Sequence, residues 1–548
     1  MNYKEISEKV GKVKGSAERK ALTTRWDDDL NIYLLDSHVM KGVHGELENM
    51  KLPGVYNVTS SAPQTYLDRI TSIMSRAEPK LRIVSSIPDK QAEMIKNWWK
   101  GVIDSANDLQ INSIDSYVYP SMCFYTNLRG WAATRNVIYK DEDGKLCFEI
   151  LPIDIYDLYW EKIGGKYSWA CINTLQMPKA DILATYGLEI KGDYGDVYNF
   201  WDKDGNEITS TSDQDKGTPR NYIKRPPFTI KPVVTSPKIS GANANRLKMI
   251  GESLYHSCRG TNKEINDVLS IIKTHAMLGL RPPLVHKTEG SEGREVKEYP
   301  TWGSILEQLA EEDFKVLDIK DMANTDAMFY NMMDQDRQNA TIPNNEYGGL
   351  NFQLSALALD TLSGQRNVVF MPRQLTMELA YKDIFAQMLD QFIEGKFTME
   401  MIDSDGKEKK ITYSDLIPLQ GKFRYDFDCD VESPEQEQAT FTKATAAMNA
   451  RMPMDFIVRD VFKTENPEKL LGIIADERLM EELPELRLIR AYDRAMQEAE
   501  TLSGDSKDAK LLEAKMLNAR IMQITAEMSG QNQPQAPQQM PQQMPEGM

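Results

Sequence analysis

Apolar residues recur at steps of three and four along much of this chain, and those runs set the expected order of elements. One regular run is 247–276, where Leu247, Ile250, Leu254, Cys258, Thr261, Ile265, Leu269, Ile272 and Ala276 form a single stripe. Gly251 and Gly260 weaken it slightly. Arg281-Pro282-Pro283 ends it, because proline disfavours helical backbone in the residue before it. A second helix is expected over 325–340, with Asn324 as N-cap and Pro343 just beyond its end. A longer run, 352–392, keeps helical period for about forty residues. Met377, Tyr381, Ile384, Met388 and Phe392 give its second half a heavy apolar face, while Ser355, Asp360 and Ser363 lighten the first half. Gly364 and Pro372 predict a kink: Pro372 has no N–H to donate, and its ring crowds the carbonyl four residues back.

Elsewhere the pattern changes. Residues 1 to about 115 read as helices separated by polar turns, with 92–103 a clear amphipathic case. From Ile111 a helix running toward Cys123 gives way to β-rich residues, and DEDGK (141–145) turns that strand into LCFEILPI as a hairpin. YSWACINTL (167–175) reads as another strand, 201–226 as turns, and PPFTIKPVVTSP as extended chain broken by prolines. Between the two mid-chain helices lie extended LVHKT, the polar turn EGSEGRE, then YPTWGSILEQL and DFKVLDI. Residues 396–431 hold a second hairpin followed by FRYDFDCDV, and 434–528 are helical and charged. The Gln/Pro/Met-rich stretch 529–548 is expected to be disordered, because it cannot bury a core.

Composition narrows the class. The 548 residues are 41% hydrophobic and 27% charged, enough for sizeable cores and several domains. With 65 basic against 82 acidic residues the net charge is −17, which argues against gripping nucleic acid over a broad basic face. Five scattered cysteines (Cys123, Cys147, Cys171, Cys258 and Cys429) without a CxxC pair read as reduced, buried thiols. No apolar run approaches a membrane span and MNYKEISEKVGKVKG has no apolar signal core, so the expectation is a chain made in the cytoplasm with no membrane partner.

Candidate chemistry is sparse. GKVKGSAERK has the wrong spacing for a phosphate loop, and His38, His44, His256, His275 and His286 make no metal pattern; His256 and His275 are expected on helices. Asp426, Asp428 and Asp430 with Glu437 mimic a calcium loop, but Val431 stands where a glycine must turn, and alternation with Tyr425, Phe427 and Cys429 fits a half-exposed strand. Gly251-Glu252-Ser253 is no nucleophile elbow, because Tyr255 replaces the second glycine. The expectation is a non-enzyme without cofactor or metal. A metal-dependent nucleic-acid enzyme using the three aspartates remains an alternative reading, as does another virion component, internal or tail-tube.

The order of parts carries more than any motif. SSAPQTYLDRITSIMSRAEPKLRIV, then SYVYPSMCFYTNLRGWAATRNVIY with CFEILPIDIYDLYWE, then helix, proline-bounded insertion, helix, NNEYGG and a long bent helix resemble the portal proteins of tailed bacteriophages, short-tailed-phage-like. The resemblance spans nearly the whole chain. It implies an α+β fold with wing, stem, clip and helical crown, assembling into a ring. The parts would be 1–245 wing, 246–281 first stem helix, 282–323 clip, 324–343 second stem helix, 344–352 tunnel loop, 353–433 kinked wing helix with returning strands, and 434–528 crown. Stem site residues would be Arg259, Lys263, Lys273 and Arg337. Asn344, Asn345, Glu346, Tyr347, Gly348, Gly349 and Asn351 would line the DNA channel, or form only a tight connection. Trp302, Ile305 and Leu306 would dock partners, unless Trp302 merely packs the clip's own core. The implied partners are further copies (twelve in the family), double-stranded DNA, the terminase large subunit, a head-tail adaptor, and major capsid and scaffolding proteins, at the portal vertex of a virion. On elementary physics, helices of roughly 50 and 60 Å with apolar stripes lacking a partner in the same chain suit burial against a neighbouring subunit.

Overall fold

The computed structural model describes residues 1–42, 49–52, 54–77, 79–84, 87–141, 144–234, 250–280, 284–287, 313–316, 324–340, 356–402, 408–429, 434–462, 467–482, 485–501 and 505–528. The chain is a mixed α+β protein that divides into two compact units, Met1–Gln436 and Glu437–Met548.

The first unit opens with helices α1 (Tyr3–Gly15) and α2 (Ala17–Tyr33), started by an Asn2/Glu5 capping box and by the Ser16 side chain. Then come α3 (Ala62–Met74), the short strand β1 (Lys80–Ile83), α4 (Asp89–Ile114) and α5 (Val118–Arg129). The expected hairpin forms from β2 (Trp131–Lys140) and β3 (Leu146–Pro152). Next are β4 (Leu158–Ile163), β5 (Lys166–Pro178), α6 (Lys179–Tyr186), β6 (Tyr194–Asp202), β7 (Glu207–Ser210), β8 (Asp215–Thr218) and β9 (Phe228–Pro232). Strands β4 to β8 make a five-stranded antiparallel meander, so 201–226 is not merely turns: Asp204-Gly205, with Gly205 at φ +82°, reverses the chain between two paired strands. On one face of this sheet lie Ile6 and Val10 of α1 with Trp169, Cys171 and Phe200; on the other, Trp201, Leu158 and Ala170 meet Trp26, Trp131 and Phe228.

The rest of this unit comprises α7 (Arg259–Leu280), β10 (Leu284–Lys287), β11 (Asp313–Val316), α8 (Asn324–Ala340), α9 (Ala356–Glu394), β12 (Thr398–Ile402), β13 (Glu408–Thr412), α10 (Tyr413–Leu416) and β14 (Tyr425–Asp428). Strand β14 closes back on β1, pairing Phe427 with Leu81. The second half of α9 is the spine of the main core. Met377, Tyr381, Ile384, Met388 and Phe392 are buried, and Phe385 meets Trp98 and Trp99 of α4 at ring-centroid distances of 5.7 and 5.3 Å.

Two polar residues on that apolar helix finish a sheet. Strand β9 pairs with β2 only over Trp131 to Arg135, because Pro226-Pro227 ends it. Beyond that point Gln391 of α9 takes over the open edge: its Nε2 donates to Asn136 O (2.8 Å), and its Oε1 accepts from Ile138 N (3.1 Å). Gln387 does the same for β9, donating to Phe228 O at 3.1 Å. A side-chain amide thus stands in for a missing strand residue.

One expected helix is shorter than its periodicity. Helix α7 starts at Arg259, not at Leu247. Gly251 adopts φ +68° and donates its N–H to Val233 O (2.8 Å), while Ile250 bridges to Val234. Leu254 and Cys258 are buried as the stripe predicted, but their backbone lies in turns because it is committed to neighbouring segments. His256 accordingly sits in a turn, not on a helix. Helix α9 is continuous across Pro372.

The second unit is helical: α11 (Pro434–Asn449) begins at its boundary, followed by α12 (Met454–Phe456), α13 (Pro467–Glu482), α14 (Glu485–Thr501) and α15 (Asp505–Met528). Helices α14 and α15 pack on each other, with Ala495 and Ala514 buried.

Candidate functional site: the α7–α8 pair and its anchorage

Helices α7 and α8 pack together, and Arg337 of α8 lies close enough to Cys258 to act on its thiol, so the end of α8 returns beside the start of α7. Between them β10 and β11 pair antiparallel, from Leu284 with Val316 to Lys287 with Asp313. Trp302, Ile305 and Leu306 lie outside the described residues, as do Asn344, Asn345, Glu346, Tyr347, Gly348, Gly349, Asn351 and the stretch 529–548.

The start of α7 is rooted in a buried polar junction. Arg259 binds Asp29 of α2 through two nitrogens (2.7 and 2.8 Å), and the Asp29 side chain is fully buried. Arg25 of the same helix donates to Ile250 O (3.0 Å) and Gly251 O (2.8 Å). Behind it, Arg129 at the end of α5 clasps Asp154 and donates to Trp26 O (2.7 Å), which gives the Pro152-Ile153-Asp154 stretch a structural role. Arg373, one residue past Pro372, reaches Glu252 O at 3.5 Å, and Thr376 Oγ1 donates to Pro372 O (2.7 Å).

This junction accounts for two of the four cations singled out in the sequence. Arg259 is an anchor whose charge is engaged by Asp29, and Arg337 pairs with Asp334 one turn back. Lys263 and Lys273 are exposed. The four do not form one patch: Lys273 lies about 15 Å along α7 from Lys263 and on a different face.

Nor is α7 without partners in its own chain. Ile265 and Val268 are buried, and residues 56–60 lie against its polar ridge. Tyr56 N, Val58 N and Ser60 N donate to Thr274 Oγ1, Ser270 Oγ and Asn266 Oδ1. His38 Nε2 meets Asp267 Oδ1 at 2.8 Å, and His38 N and Met40 N donate to the side chains of Thr59 and Asn57. Along the apolar stripe Ile265 is buried within the chain, while Leu269 and Ile272 are half-buried and Ala276 is exposed. Sequence reading missed Asp29, Asn266, Ser270 and Thr274. The last three are visible as a polar row at four-residue steps, but their partners lie some two hundred residues away in sequence.

The reactive groups are quiet. All five cysteines are free and buried, and burial pushes the Cys123 thiol up to about 12, leaving it protonated near neutral pH. Asp426 pairs with Lys382 (2.6 Å) and Asp428 with Arg82 (3.4 Å), so the alternating aspartates are strand residues held by cations. Asp430 lies outside the described residues. Among the described residues no cluster of three or more His, Cys, Asp or Glu is arranged to hold a metal ion. No described helix is long and apolar enough to cross a membrane.

No protein-family model matches this sequence, and no curated protein does. A solved structure described as the neck of an empty GTA particle computed with C6 symmetry aligns over 72% of this chain and 90% of its own, at 9% identity and a TM-score of 0.36. At that score the likeness carries no functional inference.

Proposed function

We propose that this chain is a portal-type connector subunit: copies of it close into a ring at one capsid vertex, through which double-stranded DNA is packaged and ejected. The observation that carries the reading is the arrangement around α7 and α8. A helix rooted in the α/β body leads into a two-stranded hairpin, a helix returns beside the first, and a 39-residue helix then re-enters the main core. That is the stem–clip–stem–wing order of the family this sequence resembles. The exposed Met328, Phe329 and Met332 of α8 give the pair an apolar face for a neighbouring copy to cover. The net charge of −17 suits a channel that must let phosphates slide.

In this reading the 282–323 clip docks the terminase large subunit and later the head-tail adaptor through Trp302, Ile305 and Leu306. Residues 344–352 narrow the channel, where Tyr347 offers a sequence-blind surface and Glu346 repels phosphate. Gly364 and Pro372 set the bend of α9 that aims this loop. Capsid and scaffolding proteins surround the wing, and 434–528 form the crown. Twelve copies of 62.5 kDa give about 750 kDa. Native mass spectrometry and negative-stain images should find that closed ring, and monomer alone at every salt and protein concentration would refute the reading. Replacing residues 346–349 by a shorter alanine linker should leave rings intact while DNA packaging or retention fails; particles that fill and hold DNA normally would remove the channel assignment.

A further inference from the structure

Asp383 of α9 is shared between two cations from different segments. Lys231 of β9 stands 3.4 Å from its Oδ2, and Arg225, just before Pro226-Pro227, stands 3.9 Å from its Oδ1. A third cation arrives from the five-stranded sheet. The pairing of β4 with β5 slips register between Glu161 and Lys162. Glu161 turns to Trp169 and accepts from its Nε1 (3.0 Å), whereas Lys162 lies with its Nζ 4.3 Å from the centre of the Tyr167 ring. The Tyr167 hydroxyl bonds in turn to the main chain of Ile230, the residue before Lys231. Lys162 and Lys231 are thereby brought together beside Asp383.

The balance of charge here is uneven. Three cations face one carboxylate, and among the described residues Lys162 makes no ion pair of its own. Burial holds the Lys162 ammonium below its ordinary pKa, Lys231 pushes it lower, and Asp383 offsets this only in part. All three cations reach water: Lys162 is exposed, and Lys231 and Arg225 are 34% and 48% exposed. The other carboxylates nearby have partners. Glu394 holds Lys224 (2.7 Å), Asp426 holds Lys382 (2.6 Å), and Asp390 accepts from Gln420 (3.2 Å).

We infer that Lys162, Arg225 and Lys231 form a binding site for a single phosphoryl oxyanion, either inorganic phosphate or a small phosphomonoester. A tetrahedral dianion presents oxygens in several directions, so a planar guanidinium and two ammonium groups can donate to it together. It replaces the repulsion between Lys162 and Lys231 with two attractions. A nucleic-acid backbone suits the spot less well. A long polyanion laid here also meets Asp390, Glu394 and Asp426, on a chain whose net charge is −17. The site does not depend on ring formation, and its test reads the same on monomer or assembly.

The test titrates inorganic phosphate, and separately glycerol 3-phosphate, into the full chain by calorimetry, with ionic strength held constant by chloride so that general screening cancels. Both should bind saturably. Lys162→Gln and Lys231→Gln should each weaken binding by about threefold to tenfold, and the double variant by about tenfold or more. Asp383→Asn removes the competing carboxylate and should tighten binding by about threefold or more, which a purely structural ion pair does not predict. Lys263→Ala, on α7, should bind as the parent does. Thermal unfolding in chloride alone reports whether each variant is folded; should Asp383→Asn fail that check, the lysine variants decide. No binding above the chloride background, or full binding by the double lysine variant, overturns the site. Weaker binding by a folded Asp383→Asn also counts against it. A short DNA duplex is the last arm: failure to displace phosphate supports the small-anion assignment, and displacement at lower concentration than glycerol 3-phosphate overturns it.

Discussion

Replacing Gln391 by methionine tests whether α9 is bound to β2 by hydrogen bonds or by apolar packing alone. Methionine has similar length and fills the space, so little cavity is created. What is lost is the pair of bonds at 2.8 and 3.1 Å to Asn136 O and Ile138 N, at a residue only 4% exposed. Each backbone group left buried without a partner costs about 1–3 kcal/mol, and the thioether recovers roughly 1 kcal/mol through added apolar burial. The expected net loss is about 1–5 kcal/mol. Phe392, the next residue, sits 5.6 Å from Trp98 between ring centroids, so indole fluorescence reports on the same core. Urea unfolding followed by that signal should show a lower midpoint at unchanged slope. The amide of Ile138 should also lose its exchange protection before the rest of β2 does. A stability change below about 0.5 kcal/mol would mean that water or a shifted backbone satisfies the edge, and the account of Gln391 as a substitute strand residue would be wrong.

Other perturbations separate anchors from bystanders. Asp29→Asn strips a fully buried carboxylate from Arg259 and should cost about 3 kcal/mol, whereas Lys263→Ala on the exposed face of α7 should stay within about 0.5 kcal/mol, both read by thermal unfolding. Gly251→Ala would place a methyl 1.9 Å from Trp131 Nε1 at a φ of +68°, so the variant should fail to accumulate as soluble protein; normal expression would show that this crossing is loose. Burial and nearby Asp154 push the Asp157 carboxyl from 3.8 up to about 6. Its folded pKa is the higher one, so the stability it contributes is complete below pH about 3.8 and is lost as pH rises through about 6. Asp157→Asn should therefore stabilise the protein by about 1 kcal/mol at pH 7.5, after discounting for its partial exposure, and change little at pH 3.5; an equal effect at both pH values would exclude titration as the cause.

Elements whose signal is local were readable from the sequence. The apolar face of α9 from Met377 to Phe392, the β2–β3 hairpin across DEDGK, and the existence of α8 follow from period and turn chemistry alone, although Asn324, expected as its cap, is already its first helical residue. Errors arose where distant backbone took over. At Leu254 and Cys258 the stripe reported burial correctly but not helix, because Gly251 and Ile250 are bonded to Val233 and Val234 rather than to their own turn. The β1–β14 pairing could not be read either, since its strands are four residues each and lie at opposite ends of the first unit. The resemblance singled out Arg259 and Arg337, but not as partners of Asp29 and Asp334, because a sequence does not show which carboxylate a long side chain will reach. Gln387 and Gln391 carry no signal of their own in the sequence; their role depends on where Pro226-Pro227 stops β9.

The ladder of three amides along α7 has a mechanical meaning. The bonds from Tyr56, Val58 and Ser60 cross from strand to helix at successive turns, side by side along the helix axis. A load applied along α7 strains all three together in shear, along with the Asn57 and Thr59 contacts behind them. A sideways pull at one end peels them off one at a time. The helix is therefore stiff against axial displacement and compliant to lateral unzipping, so an axial push on α7 is passed through the strap and the Asp29 anchor into the α/β body rather than absorbed at a hinge.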